Sequence, residues 1–358
     1  MPARPLVVFC ARPELIDRSR KDVTVIGLPD FHGQTPATRQ LLAQPGSTAL
    51  DCAPLGVAAL RIGMGRLAAW FQDHDPALLV VDVSAEVALL ARICSVPCVI
   101  VRMHGNREDA AHEAAYSASV AMLAPFDERL EQPDYPAGFR GRTRYIGGLI
   151  SRRDRPLDRD TARSQAGLPR DRLIIVVLSG GGGLGANIGA LTLGARAFPE
   201  ALWLVVGRAV NQGHETEFGN LHRLGWVADT QRYIAAADIV VGSGGDNTVH
   251  EVCDVGRPFV CVAEWCYYAE QHRKARALAR LNAAVYAPVW PGDFAAWRDV
   301  ISRARACDLD LQRQLVNDQA ARDGAAFIDE LAETLWAATD TTLSGQVACA
   351  DDGVFNTD

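Results

Sequence analysis

From about Leu173 onward the sequence repeats one pattern: a short run of branched aliphatic residues, a turn containing glycine, then an amphipathic stretch. The runs are "LIIVVLSGGGG", "LWLVVG", "LHRLGWV", "IVVGSGG", "FVCVAEW" and "AAVYAPV". Helical patterns lie between them at Ala186 to Ala197, Asn247 to Val255 and Ala269 to Leu281. A strand with one wet face alternates apolar and polar residues, and these do not. Continuous apolar strands separated by helices predict a parallel sheet covered on both faces, a doubly wound α/β domain.

The first half is less regular but similar in kind. "PLVVFC", "VTVIG", "PALLVVDV" and "PCVIVRM" read as strands, with helical stretches at Gly56 to Gln72 and Ala85 to Cys94. Pro29 to Pro54 carries no clear period and reads as a long loop. A chain of 358 residues exceeds the ~250–300 at which single cores stop growing, so two domains are expected. Glycine, charge and proline in "YIGGLISRRDRP" mark the linker. The expected units are residues 1–148, residues 149–338 closing on a helix from Gln312 to Ala338, and a disordered polar tail at 339–358.

The net charge of −7 argues against nucleic acid as a partner, because phosphate recognition normally needs a basic surface. No apolar run is long enough to span a bilayer, and the start lacks a signal-like pattern, so a cytoplasmic protein is expected. The nine cysteines are scattered, several within apolar runs, which suits buried reduced thiols. Cys94 and Cys98 lack a second pair at zinc spacing, and no placed carboxylate pair appears, so no metal and no cofactor are expected.

Two loops follow strands in the second half: Gly180, Gly181, Gly182 and Gly183, and then Ser243, Gly244, Gly245, Asp246, Asn247 and Thr248. Glycines admit close backbone approach, and free N–H groups at a helix start favour an anion such as a diphosphate. Either loop alone also reads as a tight turn, with Asp246 or Asn247 capping the helix. Neither is a GxxxxGK[ST] motif or a dinucleotide fingerprint. Glu251, one turn into the second helix, is placed to accept hydrogen bonds from two ribose hydroxyls, or else is a solvated helix residue. His250 reads as a helix-surface residue.

These residues carry a resemblance. "GSGGDNTVHEVCDVGRPFVCVAEWCYYAEQHRKARAL" resembles the donor half of nucleotide-sugar glycosyltransferases of the GT-B fold, above all the MurG-type N-acetylglucosaminyltransferases of peptidoglycan synthesis, with the C-terminal domain type of glycosyltransferase family 28. It spans roughly Pro76 to Ala338 and is strongest from Ser179 to Leu278. The resemblance implies two Rossmann-like domains facing across a cleft, and a UDP-sugar donor held by the glycine loops and Glu251. It also implies that Glu270 and Gln271 meet the hexose, while Leu224, Gly225, Trp226 and Val227 meet the base. Trp265, Tyr267 and Tyr268 read as a cleft wall or as plain packing. Inverting, metal-independent transfer of a hexose, such as an N-acetylhexosamine, is implied, onto a small-molecule or lipid-linked acceptor. A lipid-linked one would bring peripheral membrane contact.

One departure stands out. The family begins with a strand and a glycine-rich loop bearing a histidine, whereas this chain opens at what resembles the next strand, "PLVVFCARPE". A catalytic base must then come from another acceptor-side loop, from a partner, or not at all, and the strand ends "VVDVSAE" and "VIVRMHGN" offer His104 first, then Asp82 and Glu86. A nucleotide-sugar hydrolase on the same fold and a non-catalytic nucleotide-sugar binder remain open at this point.

Overall fold

The computed structural model describes residues 4–17, 20–30, 34–150, 156–181, 183, 185–211, 213 and 218–337. Strands β1 (Leu6–Cys10), β2 (Val23–Gly27), β3 (Leu79–Val81), β4 (Cys98–Val101), β5 (Ala121–Ala124) and β6 (Thr143–Tyr145) lie in the first half. The second half holds β7 (Ile174–Ser179), β8 (Ala186–Asn187), β9 (Leu202–Gly207), β10 (Ala209–Val210), β11 (Leu221–Gly225), β12 (Ile239–Ser243), β13 (Phe259–Val262) and β14 (Val285–Ala287).

The second half forms a six-stranded sheet in the order β11-β9-β7-β12-β13-β14, with every pairing parallel. Alternation along β7 explains its unbroken apolar run: Ile174, Val176 and Leu178 enter one core, Ile175 and Val177 the core on the opposite face. Helices Asp246–Val255 and Glu270–Arg280 cover the first face, Ile188–Ala197 and Phe294–Ala304 the second. On the second face Trp203 and Trp297 meet edge to face at 5.1 Å. A methyl at Gly194 would lie 2.7 Å from the Trp203 ring, so the helix approaches only because glycine stands there. The chain leaves β7 first towards β9 and β11 and later returns to its other side with β12. The strand order therefore reverses between β7 and β12, which opens a crevice at their carboxyl ends.

The first half is built differently. β3-β4-β5-β6 form a parallel sheet in simple sequence order, and β1 and β2 form a separate parallel pair. The pair is tied to the rest through helix Ala58–His74, where Trp70 meets Phe9 at 5.2 Å and Arg66 donates to the Gly27 carbonyl at 3.1 Å.

The single helix expected from Gln312 to Ala338 is two helices, Leu309–Gln314 and Ala320–Trp336. The break is where the chain crosses back to the first half. There Val316 bridges Gly148, the Gly148 N–H donates to Leu315 and the Asn317 amide donates to Ile146. The second helix then packs Ala320, Phe327, Ile328 and Leu331 on Val99, Ala121 and Leu123 of the first sheet. Its end is tied by Trp336 Nε1 to the Ala77 carbonyl at 2.8 Å. The helix that the sequence placed with the second unit thus lies against the first. Part of the linker and the tail expected at 339–358 lie outside the described residues.

Candidate functional site

Both glycine loops open at the crevice between β7 and β12. Gly180, Gly181 and Gly183 follow β7, and Gly182 lies outside the described residues. A Cβ on Gly183 would sit 1.7 Å from Glu264 Oε2, so a side chain there would have to displace the Glu264 carboxylate. On the other side Gly244 and Gly245 lead into helix Asp246–Val255. Its N-cap is Gly245, with no side-chain capping bond. The expected cap by Asp246 or Asn247 is not formed, because both stand inside the helix. The first-turn N–H groups therefore keep no side-chain cap at the crevice.

Asp246 is committed elsewhere. Its Oδ1 pairs with Lys274 Nζ, and His250 Nε2 stands 3.8 Å from the same atom. Burial alone would raise the Asp246 pKa, but the lysine and then His250 outweigh it and hold the carboxyl below its ordinary range. Lys274, at 1% exposure, is a secluded charge at the cleft and also lies 3.9 Å from Glu270. Sequence reasoning passed over it. The available signal was that it is one of only two lysines in an arginine-rich chain and stands four residues after Glu270.

Glu251 is half-buried and has no hydrogen-bond or ion-pair partner among the described residues. Burial, with Asp254 adding to it, raises its pKa. Thr248 packs its methyl beneath Gly242, where an added Cβ would lie 2.9 Å away. At the far edge, β11 ends at Leu224 and Gly225, Val227 packs on the core, and Trp226 is 70% exposed and faces Gly181. Trp265 and Tyr267 are also exposed, 5.2 Å apart.

Gln271 and Glu270 are already engaged. Gln271 Oε1 accepts from the Gly244 and Glu264 N–H groups, both at 3.0 Å, and so clamps the second glycine loop to the end of β13. Glu270 Oε2 receives Arg107 Nη2 from the first half at 3.3 Å.

The facing edge brings the three candidate bases to unequal positions. Asp82 opens to the cleft, and burial, with Asp246 adding to it, raises its pKa. The turn carrying it is strained: Val83 has φ 69°, and the Ser84 N–H donates to the Asp82 carbonyl at 3.0 Å across it. A β-branched residue at positive φ is an outlier that clusters at functional sites. Glu86 is occupied, accepting from the Cys52 N–H at 2.6 Å and from Ser84 Oγ at 3.4 Å. Ser84 also caps helix Ala85–Ile93. His104 is fully buried, its Nε2 on the Leu130 carbonyl at 2.9 Å and its ring 4.2 Å from Phe126. Burial first, and Lys274 next, lower it to about 3. His250 is also not the surface residue expected. It is 2% exposed, bonds the Leu149 carbonyl through Nδ1, and packs where a Gly148 side chain would lie. Burial lowers it to about 4.

The two halves are stitched along this edge. Tyr268 inserts its ring between Arg107, 4.5 Å away, and His112, 4.8 Å away, and its hydroxyl reaches Asp51. Its carbonyl accepts from the Asn106 N–H at 2.7 Å. Arg273 adds bonds to Asn106 and Asp134.

Two parallel α/β units meeting at their carboxyl edges, with glycine loops at a strand-order reversal, define the GT-B class. Solved structures share the fold. The glycotransferase of kitacinnamycin matches with TM-score 0.61 at 18% identity, covering 93% of this chain and 100% of that one. Acinetobacter baumannii MurG matches with TM-score 0.54 at 15% identity, covering 86% and 85%. Arabidopsis thaliana UGT89C1, solved with UDP, matches with TM-score 0.60 at 12% identity, covering 91% of each.

Within that class the chain is MurG-like, and residues 200–289 match the glycosyltransferase family 28 C-terminal domain. The UDP-N-acetylglucosamine--N-acetylmuramyl-(pentapeptide) pyrophosphoryl-undecaprenol N-acetylglucosamine transferase of Sorangium cellulosum is 28% identical over 276 residues, which is 68% of this chain. The protein of the same name from Moorella thermoacetica is 32% identical over 144 residues, 36% of this chain. The matches span 60% of the first relative's length and 38% of the second's.

Proposed function

We propose that this chain is a glycosyltransferase that moves a hexosyl group from a UDP-sugar to an acceptor hydroxyl, with inversion and without a metal ion. The observation that carries the reading is Glu251, a half-buried carboxylate without a partner among the described residues, one helical turn from the crevice between two glycine loops. A carboxylate in that setting gains its missing hydrogen bonds from a pair of ribose hydroxyls. The diphosphate lies on the uncapped N–H groups of helix Asp246–Val255 and on the Gly180 to Gly183 loop, and the base lies against Trp226. The naming of the relatives as UDP-sugar transferases supports the donor class. The helix start and loop N–H groups take the negative charge of the departing UDP, the task a divalent cation performs elsewhere.

On this reading residues 1–148 form the acceptor side, joined by helix Ala320–Trp336, and the segment between them holds the donor. The acceptor oxygen attacks the anomeric carbon as the bond to the diphosphate breaks, and its proton passes to a base on the facing edge. Asp82 is that base: it opens to the cleft, its pKa is raised, and it rides on a strained turn. His104 at about 3 is too weak a base and too secluded. The enzyme works in the cytoplasm, and among the described residues no helix is long and apolar enough to cross a membrane.

Calorimetry with UDP tests the reading. Glu251→Ala removes hydrogen bonds to a charged group worth ~1.5–3 kcal/mol, so the folded variant binds UDP about tenfold or more weakly. Unchanged affinity sinks the assignment. Turnover that persists in EDTA supports the metal-free site, and turnover lost to chelation and restored by Mg²⁺ rejects it.

A further inference from the structure

The first half holds a cavity that the donor site does not use. It lies at the carboxyl edge of the first sheet, between the loops after β4 and β5, and encloses about 200 Å³. Arg102, Tyr116, Tyr135 and Phe139 line it, with Gly105 and Arg107 on the side that meets the second half.

Its lining carries charges of both signs, but Glu108 and Glu113 are exposed, whereas the buried charge is Arg102. Arg102 is 1% exposed, and only Nη2 has a partner, Glu131 Oε1 at 2.8 Å. Its Nε and Nη1 are buried and make no well-formed hydrogen bond among the described residues, with the Tyr116 hydroxyl as a polar neighbour in the cavity. Glu131 is further engaged by the Tyr145 hydroxyl at 3.0 Å and the Gln132 N–H at 2.9 Å. Buried donors left unpaired are costly, so such a guanidinium calls for acceptor atoms from elsewhere. Burial raises the Tyr116 phenol despite Arg102 and Arg107, which keeps it protonated as a further donor. Gln132 is closed off by a reciprocal pair of bonds with the Gly105 backbone, and Asp134 is held by Arg273.

The walls are flat and apolar. Tyr116 meets Phe139 edge to face at 5.5 Å and Tyr135 at 6.4 Å, while Arg102 lies 4.1 Å over the Tyr135 ring. At about 200 Å³ the cavity is smaller than the ~300–1,000 Å³ that encloses a whole ligand, so it suits one end of a molecule.

We propose that this cavity receives the flat, ring-bearing carboxylate end of the acceptor, with Arg102 and Tyr116 donating to the carboxylate and the aromatic walls covering the ring. That the ligand is the acceptor rests on the transfer reading above, while the chemistry of the pocket does not. The Arg107 side of the cavity adjoins Glu270, so the remainder of such a molecule emerges towards the donor loops.

A ligand-detected NMR titration of the full chain with benzoate and with benzyl alcohol tests this, with UDP titrated separately into the same sample. Benzoate is expected to bind at least about tenfold more tightly than the uncharged alcohol, as charge-assisted bonds to a buried guanidinium require. Arg102→Lys should abolish the preference. Because that change disturbs the pair with Glu131, Tyr116→Phe is the variant that preserves the packing, and it should weaken benzoate severalfold while leaving UDP affinity unchanged. Equal binding of the two probes, no binding of either, or no effect of Tyr116→Phe overturns the proposal. UDP binding without benzoate binding removes the pocket and leaves the transfer reading standing. Benzoate binding without UDP binding does the reverse.

Discussion

The two edges of the cleft are made of different materials. On the edge formed by the second half the elements are mostly backbone, glycine loops and an uncapped helix start, with one carboxylate that has no partner among the described residues. On the facing edge they are side chains, and most are already bound to something: Glu86 to Cys52, His104 to Leu130, Arg107 to Glu270. A surface of free N–H groups accepts a diphosphate without rearrangement. A surface of engaged side chains admits a ligand only where a group has been left over, and there those groups are Asp82 and Arg102.

The sharpest break of this contrast is a comparison of bases. Asp82→Asn should lower turnover by ~10²–10⁴-fold at saturating donor while UDP affinity holds. His104→Gln should change stability more than rate. If His104→Gln loses the rate and Asp82→Asn keeps it, the ranking of the two is reversed and the buried ring must reach substrate in another arrangement of the halves.

The second break acts on the ion pair beneath the second glycine loop. Lys274→Met strands the Asp246 carboxylate in a mostly buried setting. Removing one partner of a fully buried pair costs about 3–5 kcal/mol, and the partial exposure of Asp246 places this case at the lower end or below it. The double change Lys274→Met with Asp246→Asn should recover most of the loss in urea denaturation. Failure to recover would mean that the lysine stabilises through Glu270 instead.

How much of this was legible in the sequence follows the same division. The second sheet could be read because strands such as Ile174 to Ser179 are apolar on both faces and are punctuated by glycine, both local signals. The positions of the glycine loops at the strand ends came with them. The split of the first sheet was not legible, since β1 and β2 look like any buried strands and only their pairing sets them apart. Nor was the break at 315–319, where hydrogen bonds to Gly148 and Ile146 override a helical pattern. His104 ranked first as a base on its ordinary titration range, and burial removed that ground. Lys274 and Tyr268 act through partners 28 and 217 residues away, a distance that no periodicity reports.

A smaller effect separates the two buried histidines from a solvated one. His250 is lowered to about 4 and His104 to about 3, against an unfolded value near 6.5. Between these values the unfolded chain binds more protons, so stability rises with pH through the window and falls as pH drops from about 6.5 towards 4. Going from pH 7 to pH 5 should cost about 1–2 kcal/mol for each histidine. In His250→Gln the slope of unfolding free energy against pH should shrink by one histidine's share. An unchanged slope would place the His250 ring in solvent.

The smallest expected effect lies where the two edges touch. Tyr268 and Ala269 have φ of 59° and 52°, a left-handed pair that holds the Tyr268 ring against the first half and starts helix Glu270–Arg280. A non-glycine residue in that region carries roughly 1–2 kcal/mol of strain, which glycine relieves, while the added freedom of the unfolded chain takes back part of the gain. Ala269→Gly should therefore raise stability slightly, by about 0.5–1 kcal/mol, in chemical denaturation. If turnover falls in the same variant, the rigid pair also positions the cleft, and the contacts of the acceptor edge serve catalysis as well as closure. If stability falls instead, Ala269 does not hold its left-handed conformation in solution, and Tyr268 is not the fixed contact between the halves.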